Sequence, residues 1–249
     1  MKENTERILL ALYPSDDAQW GLSKQVLYGL VPHLSAGGKR SLLHLLQSDG
    51  SIALAQIGSE TQVYLTPTGK RLLEQRFPAL SDRWATWDGK WGCCVFVEAP
   101  TFDTQFRYLR QLVLKEGFFA VSRGVYFAPF PFSQVAMTEL GERYAQATTV
   151  FTIASWQFER EQSFVLNELG IADVLTAYSG VSTEITQLLA TFSDTTKATD
   201  QQKAQIYTVY DRFWEALGQD PGFAAAYGAK GYRPTSLIHS LHALFSHLS

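Results

Sequence analysis

The 249-residue chain is poor in cysteine, and its two cysteines, Cys93 and Cys94, are adjacent. Neighbouring residues of a strand point to opposite faces of a sheet, so such a pair suits neither a disulfide nor a metal site. We interpret both as small buried apolar residues in a reducing cytoplasm. No run of about 18 apolar residues is present to cross a bilayer, and the start MKENTERILL lacks the apolar core of a signal peptide. These absences predict a cytoplasmic protein with no membrane partner.

Motifs of common catalytic sites are also missing. The sequence contains no nucleophile-elbow serine, no phosphate-binding glycine loop and no paired Cys/His cluster. His239 and His242 lie one helical turn apart, but no third ligand follows at a suitable spacing, so we interpret them as ordinary helix residues. We therefore predict no metal, no cofactor and no enzymatic activity.

The chain has no excess of positive charge. It carries 21 Lys and Arg against 24 Asp and Glu, a net charge of −3, which argues against a protein that coats nucleic acid regardless of sequence. The balance changes along the chain: residues 1–80 hold eight basic against seven acidic side chains, and residues 161–249 hold five against nine. Any DNA contact is therefore expected at the N-terminal end.

Apolar material is plentiful, at 46% of residues with 13% aromatic, and the length favours two or three domains. In the middle of the chain, the apolar run 93–97 is typical of a buried strand, and apolar residues then recur near helical spacing over 102–114. Gly117 fits a left-handed helix cap, and residues 121–127 return to a β pattern. A second helix, capped by Ser133, is predicted at 133–147, and a further strand at 149–158. This order predicts a ferredoxin-like domain.

The first 80 residues predict three short helices and a hairpin. The helices are placed at 5–13, 23–33 and 38–48, with Ser23 capping the second and Ser35 preceding the third. The hairpin strands are 51–57 and 61–65, with residues 58–60 at the tip, and a further helix to Arg76 begins at a cap provided by Thr66 or Thr68. Three helices followed by a hairpin is the order of a winged helix.

Helices are predicted for the rest of the chain, at 164–178, 183–192, 201–217 and 234–248. The expected fold is therefore α+β, with a winged-helix domain at 1–79, a ferredoxin-like domain at 80–160 that mediates dimerisation, and a helical domain at 161–249.

The third helix of the winged-helix segment is the candidate DNA-reading helix. We expect Leu42, Leu45 and Leu46 to share its core face. The residues left for solvent or a major groove are Lys39, Arg40, Ser41, His44 and Gln47. We expect the DNA backbone to be contacted either by Lys70 and Arg71, in the helix after the hairpin, or by the hairpin tip.

Five sequence motifs of this chain carry a resemblance to a known family. They are WDGKW at 87–91, VEAP at 97–100, Leu109-Arg110 through Gly117-Phe118, GVYFAP at 124–129, and YLTPTGKRL at 64–72 after Asp49-Gly50. In these motifs the chain resembles the PaaX family of transcriptional repressors, whose members control phenylacetate catabolism in bacteria. Arg40 stands where the family usually has an arginine, whereas Leu45 and Ser48 stand where relatives commonly carry arginines.

The resemblance implies a homodimeric repressor of a catabolic operon, bound to double-stranded operator DNA and released by a small effector such as an aryl-acyl coenzyme A. We expect the effector where the middle and C-terminal domains meet. Arg107 and Arg110, one turn apart, are candidates for its phosphates, and Phe213, Trp214 and Tyr232 for its acyl or ring portion. The alternative, that both arginines pair with acids on the protein surface, stays open.

Two other functions are weighed against repression. The middle domain also looks like the small CRISPR-adaptation nucleases, and Glu98 stands at the strand end where those enzymes place a metal-binding aspartate. No second carboxylate follows at a useful position, so we favour a structural role for Glu98 beside the next helix. The other alternative is a non-enzymatic dimer that has lost DNA affinity and serves as a scaffold.

Overall fold

The computed structural model describes residues 2–14, 20–81, 88–97, 104–115, 117–129, 133–158, 160–192, 197–228 and 234–248. Helices and antiparallel strands both contribute, so the protein is of the α+β class. The chain divides into two compact units. The first unit comprises Met1–Trp84 and Gly170–Ser249, and the second unit comprises Ala85–Leu169. The segments predicted as first and third domains thus form one unit, and the second unit continues nine residues past the predicted boundary at 160.

The N-terminal part of the first unit combines four helices with a three-stranded antiparallel sheet. The helices are α1 (Glu3–Ala11), α2 (Lys24–Gly29), α3 (Ala36–Ser48) and α4 (Pro67–Arg76). The strands are β1 (Gly21–Ser23), β2 (Ile52–Ile57) and β3 (Glu60–Leu65), in the order β1-β3-β2. Strand β1 is missing from the sequence prediction, because three residues are too few for an alternating pattern to stand out.

Capping residues fix where these helices begin. The predicted caps at Ser23 and Ser133 are confirmed, and Ser35 caps the third helix, which begins two residues before the predicted start. Each of the three side-chain oxygens accepts a hydrogen bond from the backbone N–H three residues later. Thr66 rather than Thr68 caps α4, accepting from Gly69 N–H at 3.1 Å. Gly117 ends its helix with φ of 88°, as predicted.

The C-terminal part of the first unit is helical. It contains α8 (Ile171–Leu189), α9 (Asp200–Gln219), α10 (Ala224–Tyr227) and α11 (Pro234–Ser246). The prediction of separate helices at 164–178 and 183–192 is wrong. Val174, Tyr178, Val181 and Ile185 are all buried and follow one another at spacings of four and three residues, so a single stripe runs through α8 without a break.

Helix α9 explains why the two ends of the chain form one unit. The Tyr210 hydroxyl donates a hydrogen bond to the Arg7 carbonyl in α1, and the Tyr207 hydroxyl donates to the Val26 carbonyl in α2 at 3.3 Å. The Arg7 guanidinium pairs with Asp211 and lies 4.6 Å from the centre of the Trp214 ring. These contacts are distant in sequence, so no local pattern of residues predicts them.

The described residues of the second unit form a four-stranded sheet, three α-helices and a π-helical turn. The order along the chain is β4 (Trp91–Phe96), α5 (Thr104–Lys115), β5 (Phe119–Ser122), β6 (Val125–Ala128), α6 (Gln134–Tyr144) and β7 (Thr148–Ile153). The sheet order is β5-β6-β4-β7, with every neighbouring pair antiparallel. After β7 come α7 (Arg160–Ser163) and a π-helical turn at Phe164–Glu168.

The strand predicted at 121–127 is a hairpin of two short strands. Arg123 and Gly124 form its turn, and Gly124 has φ of 82°, a conformation that glycine adopts without strain. The alternation of apolar residues continues through the turn, which is why the sequence pattern is that of one strand.

Both cysteines are buried in β4, as predicted. Cys94 belongs to a core cluster that includes Leu109 and Val113 of α5 and Leu140 of α6. Burial raises the pKa of Cys93 to about 11 and that of Cys94 to about 12. Both thiols are therefore protonated at neutral pH, and neither is a ready nucleophile. Among the described residues, no helix combines the length and apolar character that crossing a bilayer requires.

Candidate nucleic-acid interface

Helix α3 presents most of the predicted DNA-reading residues on its exposed face. Its N-terminus is fixed by Ser35, whose Oγ accepts a hydrogen bond from Gly38 N–H at 3.1 Å. Lys39 is half-buried, and the exposed members of the predicted set are Arg40, Ser41, His44 and Gln47. These side chains provide a cation, hydroxyl and imidazole groups and an amide, which are the groups that read base edges in a major groove.

The core face of α3 is not the predicted one. Leu43 and Leu46 are 5% and 1% exposed, whereas Leu45 is 57% exposed and Leu42 is half-buried. The sequence has leucine at four positions of the motif LLHLL, and they cannot all lie on one stripe. Sequence reasoning assigned Leu45 to the core in place of Leu43, and so missed an apolar side chain on the exposed face.

A hydrogen-bonded junction holds the end of α3, the hairpin and α4 together. The Thr66 hydroxyl donates to the Gly50 carbonyl at 2.5 Å, and the Thr66 N–H donates to the Ser51 carbonyl at 3.1 Å. Asp49 accepts from the Ser51 N–H at 2.9 Å through Oδ1. Gly69 allows the first turn of α4 to approach Ser51 closely, since a Cβ at this position would overlap the Ser51 carbonyl oxygen. The junction therefore sets the position of α4 against the turn that follows α3.

The two cations predicted on α4 have different surroundings. Lys70 Nζ lies 3.7 Å from Glu74 Oε1 and 5.7 Å from the centre of the Tyr13 ring. Arg71 is exposed, and its guanidinium donates a single long hydrogen bond, at 3.4 Å, to the Thr68 hydroxyl. Of the pair, Arg71 is the better placed to contact a phosphate.

The hairpin tip carries no cation. Residues 52–65 contain a single charged side chain, Glu60, and the tip is shaped by a hydrogen bond of 3.3 Å from Gln56 Nε2 to the Gly58 carbonyl. Taken together, residues 20–81 carry six Lys or Arg and three Asp or Glu, although the whole chain is acidic. The local positive charge thus comes from α3 and α4, and the backbone contact predicted for the tip would have to be made by uncharged groups.

The predicted effector residues are divided between the two units. Arg107 and Arg110 of α5, in the second unit, are exposed, and neither forms an ion pair with a described acidic residue. Phe213 is fully buried in the first unit, with its ring centre 6.2 Å from that of Tyr178, so it belongs to the core and offers no surface to a ligand. Trp214 is half-buried beneath the Arg7 guanidinium, and Tyr232 lies outside the described residues.

A groove of about 550 Å³ lies between α8 and α9 in the first unit. The polar side chains of its lining include Gln187 of α8, Thr191 just after that helix, and Gln205 and Thr208 of α9. An ion pair between Arg212 and Glu184 closes one part of the wall. Its lining is uncharged apart from this pair, so the groove has no net charge to attract a phosphate-bearing ligand.

The candidate metal ligands do not form a site in the described part of the chain. No group of three His, Cys, Asp or Glu side chains suitable for a metal ion occurs there. His242 is buried and stacks on Trp20 with ring centres 3.9 Å apart, and burial lowers its pKa to about 4, so it is neutral at pH 7. Glu98, the residue on which the nuclease alternative depends, lies outside the described residues.

Comparisons with known proteins add a distant structural likeness. No family model and no curated protein matches the chain. A solved structure of an uncharacterized protein, Rv0674 from Mycobacterium tuberculosis, is similar with a TM-score of 0.46 and 18% sequence identity, over 97% of this chain and 93% of that one.

Proposed function

We propose that the protein is a DNA-binding transcriptional repressor that acts as a homodimer. The observation that carries the proposal is the exposed face of α3, with Arg40, Ser41, His44 and Gln47, on a helix whose opposite face is anchored by Leu43 and Leu46. The order α1-β1-α2-α3-β2-β3 with the sheet order β1-β3-β2 is that of a winged helix. In such proteins the third helix enters the major groove, so α3 is the proposed reading helix.

The second unit is the proposed dimerisation domain. Its β-α-β-β-α-β order, with the two central strands β4 and β6 adjacent, is typical of a ferredoxin-like fold. Two α3 helices in one dimer would read half-sites about 34 Å apart, one turn of the DNA helix. An operator with two-fold symmetry follows from this arrangement.

The proposed target is a catabolic operon, and the proposed signal for release is a small effector such as an aryl-acyl coenzyme A. Support for this part comes from the PaaX-like motifs and from the exposed guanidinium groups of Arg107 and Arg110, which form no ion pair with an acidic residue in the described part of the chain. An effector that binds the DNA-free form more tightly than the DNA-bound form shifts the population toward release.

Arg40 and Arg71 are expected to contribute differently to DNA binding. Arg40→Ala removes a base contact, so it should weaken binding to the operator by about 1–3 kcal/mol and leave binding to scrambled DNA almost unchanged. Arg71→Ala removes a phosphate contact, so it should weaken binding to both DNAs and reduce the slope of log K against log salt by about 0.9 per protomer. Fluorescence anisotropy at several salt concentrations measures both effects.

The matched control for these variants is Arg212→Ala, since Arg212 lies on α9 and pairs with Glu184. We expect this variant to bind operator and scrambled DNA as the wild type does. Equal affinity of the wild-type protein for the upstream region of its own operon and for scrambled DNA would refute the repressor proposal.

Coenzyme A thioesters are expected to raise the melting temperature and to release operator DNA, whereas the free acids should do neither. The reason is that the phosphates, present only in the thioesters, provide the charge that Arg107 and Arg110 would bind. The double variant Arg107→Ala with Arg110→Ala should lose both effects. Arg123→Ala, at an exposed arginine of the same unit, should keep them. If no thioester of a panel changes the melting temperature or releases operator DNA, this effector class is rejected and the proposal of DNA binding stands.

A further inference from the structure

The exposed face of α3 is polar except at one position. Leu45 is 57% exposed, and the other exposed residues of the helix from Arg40 onward are Arg40, Ser41, His44, Gln47 and Ser48. An exposed leucine needs no explanation when it stands alone on a surface of no function. Here it lies on the proposed reading face, where each side chain meets either a base edge or water.

Two neighbours of Leu45 on the exposed surface of the helix, Ser41 and Ser48, have short side chains. Ser41 precedes it by four residues and Ser48 follows by three, which places one serine a turn away on each side. The Ser48 hydroxyl donates a hydrogen bond to the Leu45 carbonyl at 2.9 Å, so it is held against the helix backbone. Leu45 therefore extends further from the helix than either serine.

The major groove of B-DNA offers an isobutyl group a matching apolar partner, the C5-methyl of thymine. Water leaves both surfaces when they meet, and each buried methyl adds to affinity without any hydrogen-bond requirement. Arg40 lies on the same exposed face and supplies the charge that draws the helix toward DNA. We propose that Leu45 is a specificity-determining residue that selects thymine by apolar contact with its C5-methyl group. This inference rests on the proposed function, since it requires α3 to enter a major groove.

Replacing thymine by deoxyuridine tests the contact directly, because the exchange removes the methyl group and keeps the base pair. The wild-type protein would first select a site from a randomised duplex library, and each thymine of that site would then be replaced singly. We expect one thymine per half-site at which the replacement weakens wild-type binding about three- to tenfold. In Leu45→Ala the same replacement should change affinity less than about 1.5-fold, since the side chain that senses the methyl is gone.

Two further variants make the test decisive. Leu45→Gln keeps a long side chain without the apolar surface and should also lose the dependence on thymine. Leu72→Ala removes a leucine that is 40% exposed on α4 and should retain it. Since Leu45 packs into no core, both Leu45 variants should melt within about 2 °C of the wild type.

The outcomes separate this inference from the proposed function. A selected site with no position sensitive to deoxyuridine, or one equally sensitive in wild type and Leu45→Ala, overturns the role of Leu45 while specific binding stands. This result would make Leu45 a contact for a protein partner or a solvent-exposed residue. A library that yields no enriched sequence overturns the proposed function, and the role of Leu45 with it.

Discussion

Replacing Gly69 by alanine is expected to lower the free energy of unfolding by about 3 kcal/mol. The added Cβ would overlap the Ser51 carbonyl oxygen and lie 2.7 Å from Leu65 Cδ1. A leucine side chain can rotate away, but the Ser51 carbonyl is backbone and is already held by the Thr66 N–H at 3.1 Å. Relief therefore requires α4 to move away from the junction, which breaks the cap that Thr66 provides to Gly69.

Urea unfolding followed by circular dichroism measures this change. Gly180→Ala is the matched control, because Gly180 lies within α8 and a Cβ there meets no atom within 4 Å. Alanine favours a helix over glycine, so the control should be stabilised by about 0.5–1 kcal/mol. A Gly69→Ala protein as stable as the wild type would show that α4 does not need its close approach to Ser51. If Gly69→Ala loses DNA affinity under conditions where it stays folded, the junction is also needed to position α3.

Replacing Asp220 by alanine is also expected to cost about 3 kcal/mol of unfolding free energy. Asp220 is 3% exposed, and its carboxylate accepts hydrogen bonds from the Tyr178 hydroxyl at 3.0 Å and from the Gly222 N–H at 2.7 Å. Alanine removes the acceptor of both hydrogen bonds, and Tyr178 is fully buried. Asparagine keeps one carbonyl oxygen for Gly222, so Asp220→Asn should lose about 1 kcal/mol at most near pH 4.

The difference in unfolding free energy between the wild type and Asp220→Asn should depend on pH. Burial raises the pKa of Asp220 above its ordinary 3.8, and the hydrogen bonds from Gly222 and Tyr178 only partly oppose this. The folded protein thus favours the protonated carboxyl, so the contribution of this group to stability is complete below the unfolded pKa and is lost as the pH rises through the folded pKa. Asparagine has no proton to lose. Asp220→Asn should therefore gain stability relative to the wild type between pH 4 and pH 7.

Unfolding curves of the wild type, Asp220→Asn and Tyr178→Phe at pH 4, 5, 6 and 7 test this. Tyr178→Phe removes a hydrogen bond to the carboxylate, so the pKa of Asp220 should rise further and the pH dependence should steepen. A constant difference between Asp220→Asn and wild type at all four pH values would contradict a raised pKa in the folded protein.

Local sequence signals predicted the parts of the fold that depend on neighbouring residues. The predicted serine caps at 23 and 133 and the glycine cap at 117 were correct, because a cap depends only on residues within three or four positions of it. The hairpin at 52–65 was correct for the same reason, since Gly58 at the tip has φ of 60°. Both kinds of element are specified by residues adjacent in sequence.

Predictions failed where the structure is determined by packing between segments that are distant in sequence. Strand β1 exists through its pairing with β3, for example Leu22 with Val63, and three residues carry no periodicity of their own. In LLHLL of α3 the periodicity allows more than one pair of leucines to face the core, and the packing against the sheet selects Leu43 and Leu46. The exposed polar residues of α3 were therefore predicted, whereas its exposed apolar residue, Leu45, was not.

The contacts of α9 with α1 and α2 constrain how the protein is made. A ribosome releases the N-terminal helices first, but the tyrosine hydroxyls that bond the carbonyls of Arg7 and Val26 belong to residues 210 and 207. The whole second unit, Ala85–Leu169, is synthesised in between. Helix α3, the proposed reading helix, thus follows helices whose partners appear only near the end of translation. Premature termination before α9 should yield chains in which the second unit folds by itself while the segment that carries α3 stays incomplete. If the proposed function holds, such truncated products should not compete with the finished protein for DNA.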